Sequence, residues 1–85
     1  MTWHLSYSPS ATRDLRKLGS ETACRIMGAL DALAATGNGH LKKLKGVHPP
    51  EWRLRVGDYR AGLALDNQTQ TIEVLYARHR REAYR

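Results

Sequence analysis

The sequence predicts an α+β fold in the order β-α-α-β-β-β, a mostly antiparallel four-stranded sheet with a helical hairpin packed on one face. Three observations carry that expectation. Two stretches in the first half repeat apolar residues at helical spacing, three stretches in the second half have strand length and strand patterning, and glycine-containing turns separate them. At 85 residues and 41% hydrophobic, the chain is expected to form one globular domain over residues 1–85. A domain of this size buries only about 60–65% of its unfolded surface, so its core has little reserve.

The elements follow in order. In TWHLSY, residues 2–7, Trp3, Leu5 and Tyr7 alternate with His4 and Ser6, which reads as a short strand with His4 as a structural residue. Ser8 or Ser10 caps the next helix, Pro9 suits its first turn, and Gly19 stops it; Ala11, Leu15 and Leu18 form its thin apolar stripe. Ser20 opens a second helix whose stripe is Ala23, Ile26, Met27, Leu30, Leu33 and Ala34, ending at TGNG near Thr36. The short Gly-Ser joint makes the two helices an antiparallel hairpin.

HLKKLKGVHPPE then reads as a basic connector closed by Pro49 and Pro50, with His40 and His48 as surface residues at its flanks. WRLRV, YRAGLALD and TIEVLYA are the remaining strands. Gly57-Asp58 joins the first two as a two-residue turn of type II′, and NQTQ joins the second pair.

Composition narrows the function classes. Cys24 is the only cysteine, which excludes an intrachain disulfide and a cysteine zinc site, and the four histidines lack the short spacings of metal ligands. Residues 1–85 show neither the apolar core of a signal peptide nor a run of roughly 18 apolar residues, so a cytoplasmic protein with no membrane partner is expected. The net charge of +6 is uneven: residues 39–60 carry +4 and residues 78–85 carry +3, while residues 61–77 carry −2. Two basic blocks brought together by folding would make a polyanion surface.

Hairpin parity says where the first block points. With Gly57-Asp58 as the turn, Trp52, Leu54, Val56, Tyr59, Ala61 and Leu63 share the core face, and Arg53, Arg55, Arg60, Gly62 and Ala64 share the other. Arg55 opposite Arg60 is a like-charge pair that costs a few tenths of a kcal/mol or more. Three guanidiniums around two small residues form a shallow bowl suited to an anion, since guanidinium forks match phosphate oxygens in pairs. The plain alternative is a solvated sheet face. An even loop after Asp66 puts Leu65 opposite Ile72, Leu63 opposite Val74, Ala61 opposite Tyr76 and Ala77 opposite Arg60. A strand regular to its end brings His79 to the arginine face and turns Arg78 and Arg80 away; a bulge reverses this, and parity leaves both open.

The stretches LKKLKG, WRLRVGDYRAGLALD and IEVLYARHRREAYR resemble the RelE/ParE superfamily of bacterial toxins, closest to its RelE-like branch. That resemblance spans nearly the whole chain and implies the same β-α-α-β-β-β fold. It implies a metal-free and cofactor-free mRNA endoribonuclease acting in the ribosomal A site, with a cognate antitoxin as partner in a toxin–antitoxin complex. In such enzymes the ribose 2′-OH attacks the adjacent phosphate, leaving a 2′,3′-cyclic phosphate and a 5′-OH.

Carried onto this chain, the resemblance makes Arg60 a phosphate clamp, Arg80 a transition-state stabiliser or proton donor, and Tyr84 a base-stacking or proton-transfer group. Arg53 stands where the family often has a strand lysine, and Glu51 replaces the lysine two residues earlier. His79, which titrates near neutrality, is a candidate acid or base or else a strand-end histidine bonded to backbone. Arg55, Lys42, Lys43, Lys45, Arg78 and Arg81 are expected to contact the RNA backbone. Two alternatives share the fold: a ParE-like DNA gyrase inhibitor, whose members usually lack the C-terminal Arg/Tyr set, and a catalytically weak module that binds RNA or antitoxin.

Overall fold

Ser8 sets the first helix and ties it to the far end of the chain. Its hydroxyl accepts the Ala11 N–H at 3.0 Å and donates to the Leu75 carbonyl at 3.0 Å. The computed structural model, which describes residues 2–46 and 50–83, continues from this cap into α1 (Pro9–Leu18), with proline in the first turn and Gly19 ending it. The next helix, α2 (Ser20–Thr36), stops at Gly37, whose left-handed φ of 78° lets its N–H reach the Leu33 carbonyl at 2.8 Å.

Five strands form one sheet: β1 (His4–Tyr7), β2 (His40–Lys43), β3 (Trp52–Val56), β4 (Tyr59–Asp66) and β5 (Thr71–His79), in the order β1-β5-β4-β3-β2. A single turn, α3 (Arg80–Ala83), follows β5. The β1–β5 pair is parallel and the other three are antiparallel. No helix among the described residues is long and apolar enough to cross a membrane.

The α+β class and the helical hairpin match the sequence expectation, and the strand count does not. The extra strand is β2, inside the stretch read as a connector. Leu41 lies opposite Leu54 and packs on the core, while His40, Lys42 and Lys43 stay exposed. Lysine on an edge strand obscures strand patterning and also discourages further strand pairing.

Both helices cover one sheet face. Ile26 and Leu30 from α2 meet Leu54, Leu63 and Val74 from the sheet, all essentially without solvent contact. Trp52 and Tyr59 lie half-buried against that core. The β3–β4 register is the one a two-residue turn dictates, Trp52–Leu63, Leu54–Ala61, Arg55–Arg60 and Val56–Tyr59. Gly57 at φ 59°, followed by Asp58 without a positive φ, has the type II′ sign pattern.

Between β4 and β5 the register slips. Leu63 faces Val74, yet Gly62 faces Tyr76, so Leu75 is an extra residue in β5. The Ser8 N–H donates to the Val74 carbonyl at 3.0 Å and its hydroxyl to the Leu75 carbonyl, which fixes the bulge where β1 ends and α1 begins. The expected pairings Ala61–Tyr76 and Ala77–Arg60 are therefore replaced by Ala61–Ala77 and Arg60–Arg78. Replacing Ser8 with alanine removes both a helix cap, worth about 1 kcal/mol, and the bond to Leu75, worth about another 1 kcal/mol. Thermal denaturation of Ser8→Ala is expected to show that combined loss, and an unchanged melting temperature would refute the dual role.

The β4–β5 loop is organised by Asp66, whose Oδ1 accepts the Gln68 and Thr69 N–H groups at 3.0 and 3.3 Å. The Thr69 backbone bond first, then that of Gln68, holds the Asp66 carboxyl below its ordinary 3.8. A carboxylate depressed in the folded state stabilises above its unfolded value and loses that contribution as pH falls through the folded one. Acid titration is expected to show this loss only below pH 3.8, and Asp66→Asn to remove it from the stability profile.

Candidate nucleic-acid interface

The sheet face opposite the helices carries a line of three arginines and a histidine that the register alone defines. His40 pairs with Arg55, Arg55 with Arg60, and Arg60 with Arg78, one residue from each of four neighbouring strands. Strands lie about 4.8 Å apart, so the four side chains leave the sheet along a line of roughly 14 Å at right angles to the strands. The next line, two residues along, is Lys42, Arg53, Gly62 and Tyr76. Beyond it the sign changes, with Ala64 paired to Glu73 and Asp66 to Thr71. One half of this face attracts phosphate and the other repels it.

A cleft of about 530 Å³ opens over the basic half, lined among others by His40, Lys42, Leu44, Arg53, Arg55 and Arg60. Arg60 is its anchored member. It is 8% exposed, unusual for an arginine, and its Nη1 donates to the Tyr59 carbonyl at 3.2 Å. A guanidinium held this way loses little side-chain entropy when an anion arrives, and burial strengthens its field at the cleft.

Arg78 is fixed by two contacts. Its guanidinium carbon lies 4.7 Å from the Tyr76 ring centroid, and its Nε lies 3.8 Å from Asp14 Oδ2. The same Asp14 oxygen accepts the Ala77 N–H at 3.1 Å, so α1 caps the edge of β5 where β1 has ended. Tyr76 lies against Gly62 so closely that a Cβ there would strike its ring. Its hydroxyl donates to Glu51 Oε2 at 3.0 Å. Burial first raises the Tyr76 phenol above its ordinary value, a hydrogen bond with Arg53 pulls it down, and one with Glu51 pushes it up. The phenol therefore stays a proton donor through the neutral range.

The candidates named from sequence distribute as follows. Arg53, Arg55, Arg60 and Lys42 share the cleft, and Arg78 joins their face. His79 does not. The bulge turns it opposite Tyr59, with ring centroids 5.4 Å apart and edge-on, which removes it from the arginine face. Arg80 is exposed at the start of α3, its N–H donating to the Asp58 carbonyl, and Arg78 takes the place opposite Arg60. Arg81 is exposed, its N–H donating to His79 Nδ1 at 3.3 Å. Lys43 lies opposite Trp52 with its Nζ 5.8 Å from that ring, away from the cleft, and Lys45 sits exposed in the following turn. Tyr84 lies outside the described residues.

Sequence reasoning passed over four participants. The sequence pattern marks His40 as a surface residue and Tyr76 as a core residue, and it gives Asp14 and Glu51 no contact. Gly62 was the available signal: glycine inside a strand marks a close approach, here by Tyr76.

A sheet with a helical hairpin on one side is the fold this chain shares with solved RelE toxins, within the RelE/ParE superfamily. The sequence matches the family model of the ParE toxin of the type II toxin–antitoxin system, parDE, over residues 5–84, and the chain belongs to that family. Among solved structures, the fold is similar to the toxin–antitoxin complex RelBE2 from Mycobacterium tuberculosis. That match has 22% identity over 93% of this chain and 99% of the other, with a TM-score of 0.82. It is also similar to the archaeal RelE–RelB complex from Pyrococcus horikoshii, at 22% identity over 94% and 97% of the two chains and a TM-score of 0.76. A mutant of Escherichia coli toxin RelE in the free state is 20% identical over 99% of this chain and 90% of that one, with a TM-score of 0.71. These three likenesses are likenesses of fold. No curated protein sequence matches the chain significantly.

Proposed function

We propose that this toxin cleaves mRNA on the ribosome, in the cytoplasm, and is silenced by a cognate antitoxin bound across the cationic face. The observation that carries this reading is the line His40, Arg55, Arg60 and Arg78, an imidazole and three guanidiniums, with buried Arg60 in its interior. In-line attack of a 2′-OH on its phosphate gathers negative charge on the phosphorane oxygens. Fixed guanidiniums aimed at that charge stabilise the transition state more than the ground state. Arg60 and Arg55 grip the non-bridging oxygens, Arg78 approaches from the next strand, and Lys42 and Arg53 hold the flanking backbone. An antitoxin that ends the activity needs acidic or apolar groups placed over the same line. The RelBE2 and RelE–RelB structures, which are toxin–antitoxin complexes, lend support to such a partner.

A second reading has one observation in its favour: the matching family model is that of the ParE toxin. It makes the basic face a surface for inhibiting DNA gyrase, with no RNA cleavage. Induced expression followed by primer extension on a cellular transcript separates the two. Discrete cuts bearing a 2′,3′-cyclic phosphate and a 5′-OH support the nuclease. Intact transcripts with accumulating gyrase-trapped DNA breaks support the second reading and overturn the first.

A further inference from the structure

The cleavage chemistry needs a group that takes the 2′-OH proton, and the guanidiniums cannot do so because arginine stays protonated at any cellular pH. His79 faces Tyr59 on the other side of the sheet, and the Tyr76 phenol holds its own proton. Glu51 remains. It directly precedes β3, and side-chain alternation puts it on the face of Arg53, two residues on. Its backbone carbonyl accepts the Leu44 N–H at 2.9 Å, which closes the chain beside a residue that lines the cleft. Its Oε2 accepts from Tyr76, whose hydroxyl also hydrogen-bonds Arg53 in the cleft wall. The carboxylate is thus oriented by one bond at the border of the phosphate-binding cations.

Resting on the nuclease reading above, we infer that Glu51 is the general base of this toxin, in the place where the resemblance expects a lysine. The free lone pairs of the carboxylate accept the 2′-OH proton as the 2′-oxygen forms its bond to phosphorus. The P–O5′ bond breaks, the 5′-oxygen takes a proton from water, and Glu51 returns its proton to solvent. No oxidant, reductant or other reactant is consumed. Tyr76 is a positioning residue: its bond to Glu51 fixes the carboxylate rotamer, and its seat on Gly62 fixes Tyr76. The charged and titratable groups around Glu51 are Arg53 in the β3 strand that follows it, Tyr76 and Glu73 on β5, and Lys42 on β2, diagonal to it.

Purified full-length toxin, ribosomes and a defined mRNA, followed in single turnovers across pH, test the assignment. Wild-type cleavage is expected to slow in acid, where a carboxylate base takes up a proton. Glu51→Gln, whose amide oxygen still accepts from Tyr76, is expected to keep the wild-type melting temperature, lose roughly 100- to 10,000-fold in rate, and lose that acid limb. Tyr76→Phe, which keeps the ring and removes the anchor, falls between the two with the limb retained. His40→Gln retains the limb as well. Glu51→Gln cleaving at the wild-type rate with the limb intact overturns the inference and leaves the nuclease reading standing. A limb lost in His40→Gln and kept in Glu51→Gln does the same. Wild-type protein that cleaves nothing overturns the nuclease reading itself, and the inference with it.

Discussion

Arg60→Ala is expected to abolish growth arrest on induction and to slow cleavage roughly 100- to 1,000-fold, the range for removing one fixed donor from a charged transition state. Three features concentrate the effect on this residue. Arg60 lies inside the cation line, it is buried, and its guanidinium is already tethered to the Tyr59 carbonyl. Exposed Arg55, directly across from it, lacks that burial, so Arg55→Ala is expected to cost less. Arg60→Lys keeps the charge and loses the two-pronged geometry, and is expected to recover only part of the activity. The measurement is single-turnover cleavage beside a viability assay, with circular dichroism to show that the variants fold. An Arg60→Ala protein that still arrests growth would remove the phosphate-clamp assignment.

Gly62→Ala is expected to be the most damaging single-methyl change. The added Cβ would overlap Cε2, Cζ and Cδ2 of Tyr76, so the ring or the backbone of β4 must move. Overpacking of this kind costs typically 1–3 kcal/mol, and each kcal/mol lowers the melting temperature of a domain this size by roughly 4–8 °C. Displaced Tyr76 also releases Glu51 and takes the support from beneath Arg78, so activity is expected to fall further than stability alone explains. A Gly62→Ala/Tyr76→Ala double variant should melt higher than Gly62→Ala if the clash is the cause, because coupled sites are not additive. Equal melting temperatures for the two would place the cause elsewhere.

The parts of this architecture that short-range rules govern were legible in the sequence. A two-residue turn at Gly57-Asp58 leaves one register, and that register placed Arg53, Arg55 and Arg60 on one face with Gly62. Ser8, Gly19 and Thr36 bound the helices at their expected places. What could not be read depends on partners distant in sequence. The edge strand His40–Lys43 exists because Leu41 finds Leu54, and its lysines mask it as a loop. The Leu75 bulge exists because Ser8 takes two carbonyls 66 and 67 residues away, and nothing near Leu75 announces it. That one extra residue exchanges Arg78 for His79 on the cationic face and moves Tyr76 from the core face to the cationic one. The resemblance favours Arg80 as the stabilising arginine; the structure places Arg78 opposite Arg60 and Arg80 at the start of α3.

The parallel pairing of His4–Tyr7 with Thr71–Val74 also bears on how the toxin comes into being. β1 has no hydrogen-bonding partner in the sheet until β5 has been made, and such long-range pairings form slowly. Arg78 reaches its station only with that final strand. The sheet therefore closes, and the basic face gains its fourth strand, only once β5 has been made.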